Sequence, residues 1–224
     1  MEARPPTQGI EGVIEEGPPF RLERAPSLRE AVAHNVAVRA ATPTFRVTAE
    51  LSIEAVQALA KKQAISLTAL LARACAAAIS ADPLFNAAWT GHGLAHRTRV
   101  DIGIAIDSPD GLFTPVLRDV AERSATKLAG DWQRLIGKVR AKRLSLSDYR
   151  GATFYLSNLD SFKVVQSFDA MVPAGASAVL ALASGHAEET FFTLCCDHRV
   201  VFGADPARLL ETLGDVLASP DALP

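Results

Sequence analysis

Apolar residues recur along the chain with two periods, one typical of amphipathic helices and one typical of strands. Spacings of three and four residues predict helices over residues 28–38, 53–60, 66–81, 123–143 and 207–217. Ser27 and Ser52 stand where a side chain could cap the first two helices. Alternating or continuous apolar runs predict strands over residues 44–51, 100–106, 112–117, 151–156, 167–172, 178–183 and 189–196. Because these elements lack a regular βαβ rhythm, we expect an α/β (two-layer α+β) fold, a mixed sheet covered by helices.

The chain divides at about residue 27. Residues 1–27 carry five of the 13 prolines together with several charges, which predicts an extended N-terminal arm rather than a packed element. The remainder, residues 28–224, shows no internal repeat and no low-complexity linker. We therefore expect one domain that is large enough to bury a sizeable core.

Composition excludes several classes of function. Hydrophobic residues make up 49% of the chain and charged residues 21%, with a net charge of −2, so nothing favours nucleic acid or an anionic membrane as partner. The N-terminus lacks the pattern of a secretory signal, and the most apolar stretch, residues 67–79, contains Arg73 and is too short to span a bilayer. We expect a soluble, cytoplasmic protein.

The three cysteines do not suggest chemistry. Cys75 stands alone, and Cys195 and Cys196 are adjacent in a predicted strand, where their side chains point to opposite faces and cannot chelate together. An odd count without framework spacing argues against a disulfide scaffold. We interpret all three as small buried apolar residues.

Six short segments carry the clearest motifs: Thr-Pro-Thr-Phe at 42–45, Leu-Phe-Asn-Ala-Ala-Trp at 84–89, Val-Asp-Ile-Gly-Ile-Ala at 100–105, Asp-Gly-Leu-Phe-Thr-Pro-Val at 110–116, Gly-Ala-Thr-Phe-Tyr-Leu-Ser-Asn-Leu at 151–159 and Asp-His-Arg-Val-Val-Phe-Gly-Ala-Asp at 197–205. In this order they resemble the catalytic domain of the acyltransferase (E2) subunits of 2-oxoacid dehydrogenase complexes. The last segment also resembles chloramphenicol acetyltransferases. The resemblance implies a chloramphenicol acetyltransferase-like fold for residues 28–224, and a homotrimer whose active site lies between subunits.

The resemblance also implies two catalytic residues. His198 matches the family's general base, which takes a proton from the attacking thiol or hydroxyl. Ser157 matches the serine whose hydroxyl stabilises the oxyanion of the tetrahedral intermediate. We interpret the neighbouring Thr153 and Asn158 as structural.

One position departs from the family's pattern. Phe202 stands where the family has an acid or amide that anchors the catalytic loop, in the acid case through a salt bridge to an early arginine, for which Arg29 is the nearest match. A phenyl ring can neither accept a hydrogen bond nor form an ion pair. Either packing holds the loop instead and His198 is active, which retention of His198 and Ser157 favours, or the site has decayed.

The expected ligands follow from the same resemblance. The acyl donor would be acetyl-CoA, and no metal is expected, since His92 and His96 lie in a glycine-rich segment interpreted as a loop, without a third ligand nearby. About 27 residues precede the core and none resembles a lipoyl-lysine domain, so we expect no lipoyl group on this chain.

Three functions stay open. The leading expectation is a stand-alone acyltransferase that acetylates a hydroxyl on a small-molecule or carrier-bound acceptor, as in natural-product biosynthesis. The first alternative is a core subunit of a 2-oxoacid dehydrogenase complex that uses dihydrolipoamide supplied in trans. The second is a catalytically silent structural homologue, favoured only by Phe202.

Overall fold

The chain folds around a mixed sheet, seen in a computed structural model that describes residues 25–109, 111–184, 189–220 and 223. The helices are α1 (Ser27–Arg39), α2 (Glu54–Gln63), α3 (Leu67–Ala81), α4 (Ala125–Arg140), α5 (Leu146–Tyr149) and α6 (Asp205–Ala218). The strands are β1 (Thr44–Ser52), β2 (Ala87–Thr90), β3 (Gly93–His96), β4 (Ile102–Ile104), β5 (Ile106–Ser108), β6 (Gly111–Phe113), β7 (Val116–Leu117), β8 (Phe154–Asn158), β9 (Ala178–Ser184) and β10 (Glu189–Asp197). Among these residues, six strands form the main sheet in the order β1-β10-β9-β8-β4-β7.

One face of this sheet, called here the core face, is closed by helices. Alternate strand residues, among them Phe154, Leu156, Leu180 and Leu194, are buried against the apolar stripes of α3, α4 and α6. These stripes arise because leucines recur at helical spacing, as at Leu209, Leu210 and Leu213 of α6. The expected mixed sheet covered by helices is confirmed.

The opposite face, called here the second face, has a thinner cover. Strands β8 and β9 pair in parallel, so the connecting residues 159–177 must run back along the sheet. This connection is irregular rather than helical. It packs Val172 and Ala170 against Val179, Cys195 and Tyr155 of the sheet, in a small apolar cluster separate from the main core.

The strand predicted over residues 167–172 is wrong, because these residues belong to the irregular connection. This stretch lies across the second face, while the strand that follows it, β9, already has a neighbour on each side, β8 and β10. Apolar residues there mark contact with a face of the sheet rather than pairing within it.

Three smaller predictions also need correction. The helix expected over 123–143 is shorter, since α4 covers Ala125–Arg140. The segment with His92 and His96 is a β-hairpin rather than a loop, because β2 pairs with β3 and places His96 in a strand. Ser27 is the first residue of α1 and not its cap, a position taken by Pro26.

The second predicted cap serves its helix from one residue further away than expected. Ile53 is the cap residue of α2. The hydroxyl oxygen of Ser52, the last residue of β1, nevertheless accepts a hydrogen bond from the Glu54 backbone N–H at 3.3 Å.

A close approach between two central strands occurs at Gly103. This residue pairs with Tyr155 of β8, and a Cβ atom at position 103 would lie 2.7 Å from the tyrosine ring. Glycine is therefore required here for space, because the ring of Tyr155 occupies the volume that any side chain would need.

The N-terminal helix is the least embedded element. Every residue from Arg29 to Val38 is exposed. The predicted arm over residues 1–27 falls almost wholly outside the described residues, so the division at residue 27 stays a prediction. No helix among the described residues has the length and apolarity needed to cross a membrane.

Candidate active site

The loop after β10 presents His198 at the end of a rigid strand. Its backbone N–H donates to the Pro43 carbonyl at 2.9 Å, which extends the β1–β10 pairing by one residue. The preceding Asp197 donates its own N–H to the Ser177 carbonyl at 2.8 Å and accepts from the Val200 N–H through its carbonyl at 3.0 Å. These bonds fix the backbone on both sides of the histidine.

Asp197 orders the loop through Arg199. The carboxylate is 3% exposed and accepts from the Arg199 Nε at 2.9 Å, from its Nη2 at 2.7 Å and from its backbone N–H at 2.9 Å. The hydrogen bond to this carboxylate raises the pKa of the Arg199 guanidinium. A bidentate pair of this kind has one geometry, so it holds the turn that displays His198.

The exposed imidazole of His198 contacts two phenyl rings. Its centroid lies 4.4 Å from that of Phe45 and 5.8 Å from that of Phe202, with tilted planes. Among the described residues, none forms a hydrogen bond with this imidazole. The Phe202 backbone N–H donates to Asp205 Oδ2 at 2.8 Å, and Asp205 in turn pairs with Arg208. The loop thus has an acid, three residues after the position where the family carries one.

Arg29, the expected match to the family's early arginine, lies in exposed α1, and no ion pair of the described residues includes it. Core packing, backbone hydrogen bonds, the Asp197–Arg199 ion pair and the Asp205 side chain hold the loop instead.

Ser157 lies near the end of β8, with its half-buried side chain on the second face beside Ala181. Within the described part of the chain, no hydrogen bond engages its hydroxyl. The polar side chains near it in sequence already have hydrogen-bond partners. Asn158 Oδ1 accepts from the Asp160 N–H at 2.8 Å, and the Thr153 hydroxyl accepts from the Asp101 N–H and donates to the Asp101 carbonyl. These contacts support the structural interpretation of Asn158 and Thr153.

One chain does not bring Ser157 and His198 together. Ser157 pairs with Ala181, Ala181 pairs with Thr193, and His198 follows Thr193 by five residues. Two strand spacings and the rise of four to five residues separate the two sites by about 17 Å. A base and an oxyanion donor acting on one carbonyl must both lie within hydrogen-bond reach of the reacting atoms. These two residues can therefore share a substrate only if they come from different copies of the chain.

Two cavities lie away from both residues. One, of about 640 Å³, lies between the β5–β6 hairpin and α4 and has Trp132, Ile136 and Val139 in its lining. The other, of about 530 Å³, is lined by Arg97, Arg99 and Arg118 among others. Neither lining includes His198 or Ser157.

The second cavity contains a buried charge network that the sequence did not reveal. Asp101 is 3% exposed and accepts from Arg99 Nε at 2.8 Å, Arg118 Nη1 at 2.9 Å and the Asp119 backbone N–H at 2.8 Å. Burial alone would raise the pKa of Asp101, but these hydrogen bonds outweigh it and hold the pKa below its ordinary value. Arg118 also donates through Nη2 to the Ser147 carbonyl at 2.8 Å and to the Arg150 carbonyl, so the network ties neighbouring segments of the chain together. The signal available in the sequence was Asp101, an acid directly before the apolar run of residues 102–106.

The thiols offer no nucleophile. Burial raises the pKa of Cys75 to about 12, and it also raises the pKa of Cys195 and of Cys196. All three are free and buried. Among the described residues, no three histidine, cysteine, aspartate or glutamate side chains group as they would around a metal ion.

Comparison with known proteins identifies the family. Residues 20–224 match the 2-oxoacid dehydrogenases acyltransferase (catalytic domain) family. The chain is 33% identical, over 88% of its length, to dihydrolipoyllysine-residue acetyltransferase component 4 of the Arabidopsis thaliana chloroplastic pyruvate dehydrogenase complex, and 35% identical over 72% to the corresponding Pseudomonas aeruginosa component. It spans 44% and 32%, respectively, of the length of these relatives.

Solved structures agree with this result. The chain is 29% identical to the cubic core of the pyruvate dehydrogenase multienzyme complex, with a TM-score of 0.82 over 94% of this chain and 99% of that one. The chain is 28% identical to Azotobacter vinelandii dihydrolipoamide acetyltransferase, with a TM-score of 0.81 over 94% of this chain and 99% of that one. A chloramphenicol acetyltransferase shares the fold, with a TM-score of 0.57 at 14% identity over 82% of this chain and 92% of that one.

The expected role in natural-product biosynthesis is wrong. The relatives are acetyltransferase components of pyruvate dehydrogenase complexes rather than small-molecule O-acetyltransferases. The expectation rested on Phe202 and on the prediction of no lipoyl group on this chain, and neither carries information about the acceptor. The fold, the match over residues 20–224 and the identity to these relatives together show that the chain belongs to the family of 2-oxoacid dehydrogenase acyltransferase catalytic domains.

Proposed function

We propose that this chain is an acetyltransferase core that moves an acetyl group between a dihydrolipoyl group and coenzyme A. The observation that carries the proposal is the exposed imidazole of His198, held at the end of β10 in a chain of this family. The Azotobacter relative has been studied for the roles of a serine, a histidine and an asparagine in its mechanism, the last two four positions apart. Ser157 and His198 supply the first two residue types here, and Phe202 stands four positions after His198.

The chemistry requires one base and one oxyanion donor. His198 takes the proton from the coenzyme A thiol, and the resulting thiolate attacks the carbonyl carbon of the S-acetyl dihydrolipoyl group. The Ser157 hydroxyl donates a hydrogen bond to the oxyanion of the tetrahedral intermediate. Collapse breaks the bond to the dihydrolipoyl sulfur, which recovers the proton from the imidazolium. In the reverse direction, acetyl-CoA is the donor.

The separation of about 17 Å between Ser157 and the His198 loop within one chain supports a site between subunits. A closed ring of copies places the same two surfaces together at every interface, and a homotrimer is the smallest such ring that the family resemblance implies. The larger cubic core formed by a solved relative is a further assembly open to this chain. The dihydrolipoyl carrier is then the macromolecular partner, and the cytoplasmic location stays a prediction.

The test is acetyl transfer from acetyl-CoA to dihydrolipoamide, measured with the purified assembly. We expect turnover in the wild-type protein and a loss of about 10²–10⁴-fold in His198→Ala, because the base is removed. His96→Ala is the matched control, since His96 is an exposed histidine on β3, and it should retain wild-type rates. Equal rates in His198→Ala and wild type would remove the proposed base. A folded wild-type assembly without any transfer would instead indicate the silent homologue.

A further inference from the structure

We propose that Phe202 is a positioning residue that holds the His198 imidazole by ring packing, in place of the polar residue that the family carries there. The proposal rests on the acetyltransferase function proposed above. Its basis is a departure from the family pattern at the catalytic loop, together with the ring contacts of the structure.

The rings of Phe202 and Phe45 approach the imidazole from two differently anchored segments. Phe45 belongs to β1 and pairs directly with Cys196, two residues before the histidine. Phe202 follows the histidine by four residues. The distance from the imidazole centroid is 4.4 Å to the Phe45 ring and 5.8 Å to the Phe202 ring. Both distances fall at or within the range over which aromatic rings attract each other.

The backbone that carries Phe202 is fixed independently of its ring. Val200 and Val201, which precede it, are 1% and 0% exposed and anchor the loop in the main core. The Phe202 N–H is bonded to Asp205 at the start of α6. A ring on such a support has a defined position, so it can restrict the rotation of a neighbouring side chain.

Polar groups of the loop are engaged elsewhere. The Asp197 carboxylate is taken by Arg199, and Asp205 is taken by the Phe202 N–H and by Arg208. Among the described residues, the imidazole has ring contacts with Phe45 and Phe202 and no hydrogen bond. Phe202 itself is 59% exposed in the single chain.

Substitution of Phe202 separates ring packing from bulk. Phe202→Tyr keeps the ring and should stay within about threefold of the wild-type kcat. Phe202→Leu keeps an apolar side chain without the ring and should lower kcat by about 10- to 100-fold, because a misplaced base loses alignment with the thiol. The KM for acetyl-CoA should stay within about twofold, since Phe202 is not proposed to bind substrate. Leu146→Ala, at an exposed leucine 54% accessible on α5, is the control for loss of exposed apolar surface.

A spectroscopic readout tests the contact itself. In protein labelled with ¹³C at the histidine Cε1, the His198 resonance is assigned by its loss in His198→Ala, and its proton should show a ring-current shift. That shift should change in Phe202→Leu and persist in Phe202→Tyr. An unchanged shift or an unchanged kcat in Phe202→Leu overturns the proposal, as does a Phe202→Asn variant faster than wild type, which would show a decayed site.

The two proposals fail in different ways. If the wild-type assembly transfers no acetyl group, the function fails, and the positioning role falls with it. If the wild type is active and Phe202→Leu matches it, only the positioning role fails.

Discussion

The two faces of the main sheet are built from alternate residues of the same strands, yet they differ in what covers them. On the core face, Leu156, Leu180 and Leu194 meet the apolar stripes of α3, α4 and α6. On the second face, Tyr155 lies in the small apolar cluster under the irregular connection 159–177, and Ser157 lies beside Ala181. The chain therefore completes its core face by itself, while the face that carries Ser157 is only partly closed.

This difference teaches where folding ends and assembly begins. A face closed by helices specifies the fold, because nearly every residue that it buries is apolar. A face with only a small apolar cluster contributes less to folding and leaves room for substrate and for a second copy. The three predictions below test that division, beginning with the largest effect.

The largest effect is expected from mixing two inactive variants. Ser157→Ala and His198→Ala should each lose about 10²-fold or more in rate. Co-expressed and co-purified as mixed trimers, they should regain about one third of wild-type activity, since one of the three interfaces in each mixed trimer pairs an intact serine with an intact histidine. The measurement is acetyl transfer to dihydrolipoamide by doubly tagged assemblies. Absence of any rescue would contradict a site in which Ser157 and His198 come from different copies of the chain.

A smaller contrast is expected in stability. Leu194→Ala on the core face should lower the free energy of unfolding by about 2–5 kcal/mol, because a fully buried side chain leaves a cavity. Thr48→Val on the second face removes only the 3.0 Å hydrogen bond between the Thr48 and Thr193 hydroxyls and should cost about 0.5–1.5 kcal/mol. Guanidinium unfolding at one protein concentration compares the two variants. Equal losses would contradict the difference between the faces.

The smallest effect concerns the two adjacent thiols, which lie on opposite faces. Burial raises the pKa of both, so neither Cys195 nor Cys196 should react quickly with iodoacetamide at pH 8. Cys195 lies under the irregular connection on the second face, whereas Cys196 lies under helices on the core face. Cys195 should nevertheless be labelled about tenfold faster than Cys196, since an irregular segment opens locally more readily than packed helices. Tandem mass spectrometry distinguishes the two sites, with buried Cys75 as an internal reference. Faster labelling of Cys196 than of Cys195 would contradict the prediction that the second face opens more readily than the core face.

Much of the fold could be predicted from the sequence. Helices and most strands follow from the period of apolar residues, and the core face follows from alternation along β1 and from the leucines of α6. The strand expected over residues 167–172 failed because periodicity does not distinguish a segment paired in a sheet from one lying across its face. His198 and Ser157 were located by their motifs, and their catalytic roles stay predictions.

The relation between the candidate site residues could not be predicted. The separation of Ser157 and His198 depends on the strand order β1-β10-β9-β8-β4-β7, in which neighbours in space are distant in sequence. The contact of Phe45 with His198 likewise requires the pairing of β1 with β10. The acceptor was predicted wrongly because no residue of the candidate site identifies it without comparison to relatives.

The close approach at Gly103 has a consequence for how this chain can change over evolutionary time. Because the Tyr155 ring fills the space above position 103, the two positions are coupled: a side chain can enter at 103 only after the ring at 155 has become smaller. Relatives should therefore vary at these positions as a pair, so that glycine accompanies an aromatic partner and alanine accompanies only a short one.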